Sequence, residues 1–107
     1  MEKVTFYKTM FAGNGKPPRF EATAGWQKNF YLRDGDLIIT LNFDKRESGW
    51  TITEEKTGLR VGDKFKTRAD AEKGVTIDLL KKIREELPKH KELIFDLNIE
   101  RGKRYAG

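Results

Sequence analysis

Asp36-Leu37-Ile38-Ile39-Thr40-Leu41-Asn42-Phe43 is the stretch whose reading decides the fold. Leu37, Ile39, Leu41 and Phe43 fall on one side of an extended chain, and Ile38, Thr40 and Asn42 on the other. That period of two predicts a strand buried on one face. A polar connection from Asp44 to Gly49 follows, and then Trp50-Thr51-Ile52-Thr53, with the two large apolar residues together and the two threonines opposite. Lys56-Thr57-Gly58 is a tight turn, and Leu59, Val61 and Phe65 align along a third strand. Short connections between alternating segments predict a three-stranded antiparallel meander over 36–65.

Working outward from the meander, the next segment changes period. Thr67 stands three residues before Asp70, the spacing of an N-terminal helix cap. Ala69, Val75, Leu79, Leu80, Ile83 and Leu87 then share one broad helical stripe, and Leu87-Pro88 ends it. One long helix over 67–87 is therefore expected, lying across the meander so that neither apolar side stays wet. Val4 to Phe11 reads as a further strand near 4–11, and Leu93, Phe95, Leu97 and Ile99 alternate as another near 92–99. The class is α+β, a mostly antiparallel sheet packed on one long helix.

The chain has 107 residues, a size for one domain over 1–107. Its low hydrophobic content includes Trp 2, Tyr 3 and Phe 7, large side chains able to build a small core. The segment 12–33 reads as loop-rich, basic and aromatic, with weaker strand candidates at Phe20-Glu21-Ala22-Thr23-Ala24 and Phe30-Tyr31-Leu32, and 101–107 as a flexible basic tail. There is no cysteine, which removes disulfides, thiolate metal sites and a cysteine nucleophile. The start, Met1-Glu2-Lys3-Val4-Thr5-Phe6-Tyr7-Lys8, lacks the apolar run of a signal peptide. No window approaches the ~20 apolar residues of a membrane span. A cytoplasmic protein with no membrane association is expected.

Motifs that carry chemistry are scarce. Gly13-Asn14-Gly15-Lys16 is followed by Pro17-Pro18, which denies a phosphate loop the helix amides it needs. His90 is flanked by Lys89 and Lys91 with no adjacent carboxylate. Asp96, Asn98 and Glu100 at alternate positions read as the outer face of an edge strand. No catalytic residue, cofactor or metal site is expected, and the protein is read as a non-enzyme.

The junction Phe65-Lys66-Thr67-Arg68-Ala69-Asp70-Ala71-Glu72-Lys73 resembles the sheet-to-helix run of the arm-site DNA-binding domains of tyrosine integrases. Together with Trp50-Thr51-Ile52-Thr53 and Thr57-Gly58-Leu59-Arg60-Val61, it also resembles small uncharacterised proteins of Gram-positive phages and mobile elements. The likeness covers about 36–87. It implies a three-stranded sheet with one helix, whose outer sheet face enters the DNA major groove. The matching outward positions here are Thr51, Thr53, Arg60 and Lys64.

Lys and Arg number 22 against 17 Asp and Glu, a net charge of +5 with the single His neutral. Residues 1–33 hold 6 basic and 2 acidic side chains, residues 34–66 hold 6 and 7, and residues 67–107 hold 10 and 8. The excess therefore sits in the first third and the tail. Lys16, Arg19, Lys28 and Arg33 interleave there with Phe20, Trp26, Phe30 and Tyr31, while Arg101, Lys103 and Arg104 close the chain. Cations for phosphates beside aromatic rings for bases are what single-stranded nucleic acid or RNA binding uses; the same rings also read as core. The expectation is a nucleic-acid-binding accessory protein of phage or mobile-element type. DNA or RNA would be held by Lys16, Arg19, Lys28, Arg33, Arg60, Lys64, Arg101, Lys103 and Arg104, with Trp26 or Tyr31 stacking. The competing expectation is a stoichiometric inhibitor or adaptor acting on a host nucleic-acid enzyme, as anti-CRISPR proteins do. A net +5 argues against mimicry of DNA.

Overall fold

The computed structural model describes residues 1–106, with side chains described through 103. Five strands come first, β1 (Glu2–Met10), β2 (Arg19–Leu32), β3 (Leu37–Arg46), β4 (Gly49–Glu54) and β5 (Arg60–Phe65). They form one antiparallel sheet in the order β1-β2-β3-β4-β5. Helices α1 (Arg68–Lys73) and α2 (Ile77–Glu86), a 3-10 turn (Leu87–His90) and α3 (Lys91–Ala106) complete the chain. The class is α+β. The expected meander is present as β3, β4 and β5, but it is only part of a larger five-stranded sheet. Among the described residues, no helix is long and apolar enough to cross a membrane.

Strand β2 corrects the expectation of a loop-rich segment over 12–33. Only the first part of that segment is a connection, and β2 is the longest strand of the sheet. Its helix-facing side runs Phe20, Ala22, Ala24, Trp26, Lys28, Phe30 and Leu32. Two alanines and a lysine among the aromatics blunt the alternation that would reveal it.

The helical half differs from expectation in three places. Thr67 does cap the first helix, its hydroxyl accepting from the Asp70 amide at 3.0 Å. The helix then stops at Gly74, where the Phe65 ring lies so close that a Cβ would stand 2.2 Å from it. Thr76 starts a second helix by accepting from the Leu79 amide at 3.2 Å. The break resets the helical phase, so Ala71 rather than Ala69 is buried. Pro88 does not end the helical run, because it sits at the start of the 3-10 turn, where a missing N–H costs little.

The strand expected near 92–99 is instead part of α3, and the helix continues to Ala106 through the described part of the segment expected as a flexible tail. Leu93 and Leu97 satisfy a period of two, but they also stand four apart on one helical face. The helix buries Leu97 completely and leaves Phe95 64% exposed. Neither edge strand takes up the segment. The β1 edge is engaged with the β4–β5 turn, and β5 is short and carries Arg60, Asp63 and Lys64.

The main core lies between the sheet and the first two helices. Leu32, Ile39, Leu41, Phe43 and Ile52 face Ala71, Leu80 and Ile83. On the other side the sheet is concave. Strand β2 pairs β1 through residues 19–27 and β3 through residues 26–32, so it must bend where its partners change. Gly25 stands at that bend: a Cβ there would lie 2.5 Å from the Phe43 carbonyl oxygen and 2.8 Å from the Phe6 ring. The ring of Phe6 fills the space the missing side chain leaves. Coiling carries β1 round to the β4–β5 turn, where the Thr9 amide donates to the Gly58 carbonyl at 2.9 Å. The Thr9 hydroxyl donates to the Thr57 carbonyl at 2.6 Å.

Candidate nucleic-acid interface

The concave side of the sheet is polar for most of its area, unlike the helix-covered side. Phe6, Lys8, Asn42, Asp44, Thr51 and Thr53 are all buried there. Lys8 on β1 reaches across β2 to Asp44 on β3, Nζ to Oδ2, at 2.6 Å. Thr51 on β4 donates its hydroxyl to Asp44 Oδ1 at 2.9 Å. Contact between side chains on β1 and β3 follows from the coil of the sheet. The coil also leaves a cleft of about 510 Å³ between the β1 and β5 edges.

The floor of the cleft is Thr51, Thr53 and Gly58, with Lys8 beside them. Its rim carries Arg46 from the end of β3, Ser48 from the β3–β4 turn, and Arg60 and Lys64 from β5. Lys64 donates to the Ser48 hydroxyl at 2.6 Å, so the turn and β5 hold the rim together. Four cationic side chains against Glu47 and the buried Asp44 leave an excess of two positive charges. Lys8 is neutralised by Asp44, and the excess resides on the exposed side chains. Arg46, Arg60 and Lys64 form no ion pair among the described residues. Arg19 pairs with Met10 across β1 and β2, and Met10 lines the cleft, so Arg19 continues the cationic rim.

Two of the residues singled out from sequence, Arg60 and Lys64, thus meet in one place, and Arg19 flanks it. The others are elsewhere. Lys16 is exposed in the turn between β1 and β2. Trp26 and Lys28 lie on the helix-facing side. The Trp26 ring packs against Trp50 at 5.6 Å, and the Arg68 guanidinium stands 5.0 Å from its centre. Lys28 pairs with Glu72 at 3.1 Å. Tyr31 is exposed near the β2–β3 turn that holds Arg33, and its hydroxyl donates to Asp36 at 2.6 Å. That bond, with a smaller contribution from desolvation, raises the phenol pKa above its ordinary value.

Arg101 serves the fold. Its guanidinium donates to the Glu55 carbonyl oxygen and approaches Glu55 Oε1 at 3.3 Å, tying α3 to the end of β4. Glu55 Oε2 also accepts from Gln27 and Asn42, each at 2.9 Å. Lys103 lies 3.9 Å from Glu100 one helical turn back. The Arg104 side chain is outside the described residues.

Arg46 and Lys8 are the cleft residues that sequence reading misses. Arg46 sits in a stretch that reads only as a polar connection. Lys8 does leave a signal: it occupies an otherwise apolar face made by Val4, Phe6 and Met10, where a charge needs a buried partner. No family model matches the chain, and neither a curated protein nor a solved structure does.

Proposed function

We propose that this chain is a small, non-enzymatic nucleic-acid-binding accessory protein of phage or mobile-element type, and that its cleft is the binding surface. The observation that carries this reading is the cluster of three cations without an anionic partner, Arg46, Arg60 and Lys64, above a hydroxyl-lined floor. Guanidinium and ammonium groups neutralise phosphates and release condensed counterions, which gives affinity without sequence information. Hydroxyls such as that of Ser48 add hydrogen bonds to phosphate or sugar oxygens.

Labelled single- and double-stranded oligonucleotides, titrated with protein at ~50 mM and ~200 mM salt, test the reading. Binding at the lower salt that weakens at the higher, and that is lost in the Arg46→Glu/Arg60→Glu/Lys64→Glu variant, supports it. No binding of either form at ~50 mM salt, where phosphate contacts are strongest, refutes it. A complex with a host nucleic-acid enzyme that survives nuclease treatment would then favour the antagonist reading.

A further inference from the structure

We infer that the cleft takes a single-stranded polynucleotide by its sugar–phosphate backbone, leaving the bases outside. This deepens the proposal above and rests on it. Three observations lead to the single strand. The first is shape. A sheet face that reads a duplex must project side chains into the major groove, about 12 Å wide, to reach base edges. Here that face is concave, and Thr51 and Thr53 at its floor are 4% and 2% exposed. A duplex laid on the rim would leave the floor empty.

The second is the spacing of the cations. Arg60 and Lys64 both line the cleft from β5, where a bulge sets the four-residue step from Val61 to Phe65 opposite the two-residue step from Ile52 to Trp50, so the two cations are offset by about 7 Å along the strand. Arg46 lines the same cleft from the end of β3, next to the turn whose Ser48 hydroxyl accepts from Lys64. Cations spread along a cleft suit successive phosphates of one chain. A single phosphorylated small molecule would need them converging on one point.

The third is what the lining lacks. Among the described residues, no aromatic side chain lines the cleft. Proteins that hold bases of a single strand stack them on aromatic rings. The aromatic pair Trp26 and Trp50 lies on the opposite side of the sheet and packs against itself and Arg68. Recognition in the cleft therefore falls on phosphates and sugars, and binding is indifferent to base identity.

The test compares, at ~50 mM salt, four labelled ligands of equal length: a thymidine homopolymer, an adenosine homopolymer, an abasic strand and a duplex. The expected result is that the two homopolymers and the abasic strand bind within about threefold of one another, and the duplex at least tenfold more weakly. Three phosphates neutralised on a single strand give a slope of log affinity against log salt of about −2. Arg46→Ala/Arg60→Ala/Lys64→Ala should bring that slope close to zero, with an unchanged circular dichroism spectrum showing that the variant is folded. An abasic strand weaker by tenfold or more would overturn the inference, since that is the loss expected when base stacking contributes. A duplex that binds as tightly as the single strands would overturn it too, while leaving the nucleic-acid reading intact. If none of the four binds, the nucleic-acid reading itself fails, and the inference with it.

Discussion

Replacing Lys8 by methionine should be among the most costly single changes in this protein. The Lys8 ammonium and the Asp44 carboxylate stand 2.6 Å apart, with their side chains 11% and 4% exposed. At that separation and an effective dielectric of about 20, their attraction is about 6 kcal/mol. Desolvating the two groups takes back several kcal/mol per ion, so the intact pair contributes little net stability. Removing one partner is a different matter. In Lys8→Met the Asp44 carboxylate stays buried with, among the described residues, only the Thr51 hydroxyl donating to it. The expected cost is about 3–5 kcal/mol, out of a total of about 5–15 kcal/mol for a domain. Urea unfolding followed by circular dichroism should show a lowered midpoint with an unchanged slope. Lys8→Met/Asp44→Leu removes both charges and should recover most of the loss, because an apolar pair of similar volume fills the same space. A loss below about 1 kcal/mol in Lys8→Met, the size expected of an exposed pair, would refute the reasoning. So would a double variant that is less stable than Lys8→Met.

Gly58→Ala places a Cβ 2.6 Å from Thr9 Oγ1 at a backbone φ of +67°, so it should cost about 1–3 kcal/mol. Faster hydrogen exchange at the Thr9 amide should accompany the loss, and unchanged exchange there would count against closure of β1 on the turn. Arg101→Ala removes the charged donor to Glu55 and should lower stability by about 1–2 kcal/mol, with faster amide exchange concentrated in α3. Exchange that speeds up uniformly over the sheet instead would contradict that role. The Tyr31 phenol has a raised pKa because it donates to Asp36. Its contribution to stability is therefore present below the ordinary phenol pKa and lost as pH rises through the raised one. Spectrophotometric titration should show a late phenol that disappears in Tyr31→Phe, and a Tyr31 that ionises at or below the ordinary value would contradict the bond.

Features written in local spacing were legible in the sequence. The Thr67 cap needs only an oxygen three residues before a free amide, and the β3 alternation needs only eight residues. Features that depend on where chain segments meet were not. Leu93 and Leu97 fit a strand and a helix equally, and the choice follows from Pro88 being harmless in a 3-10 turn and from the lack of a receptive sheet edge. Strand β2 is legible only as two short pieces, 20–24 and 30–32, because Ala22, Ala24 and Lys28 interrupt its apolar side. The cleft was half legible. Arg60 and Lys64 were already among the expected outward sheet positions. Arg46 and Lys8 join them only because the sheet coils at Gly25 and closes at Gly58, and each of those glycines is explained by a contact with residues far away in sequence. The local charge excess pointed to the first third of the chain. The sheet instead gathers its usable cations from β3, β5 and the turns between strands.

The most direct test of the cleft is a hydrogen-exchange footprint of the protein with and without a saturating single-stranded oligonucleotide. Protection should appear at residues 8–10, in the β3–β4 turn around Arg46 to Ser48, and along 60–64, with Trp26, Lys28 and α3 unchanged. Protection centred on Trp26 and Lys28, or on α3, with the cleft unaffected, would contradict the account and place the nucleic acid outside the cleft.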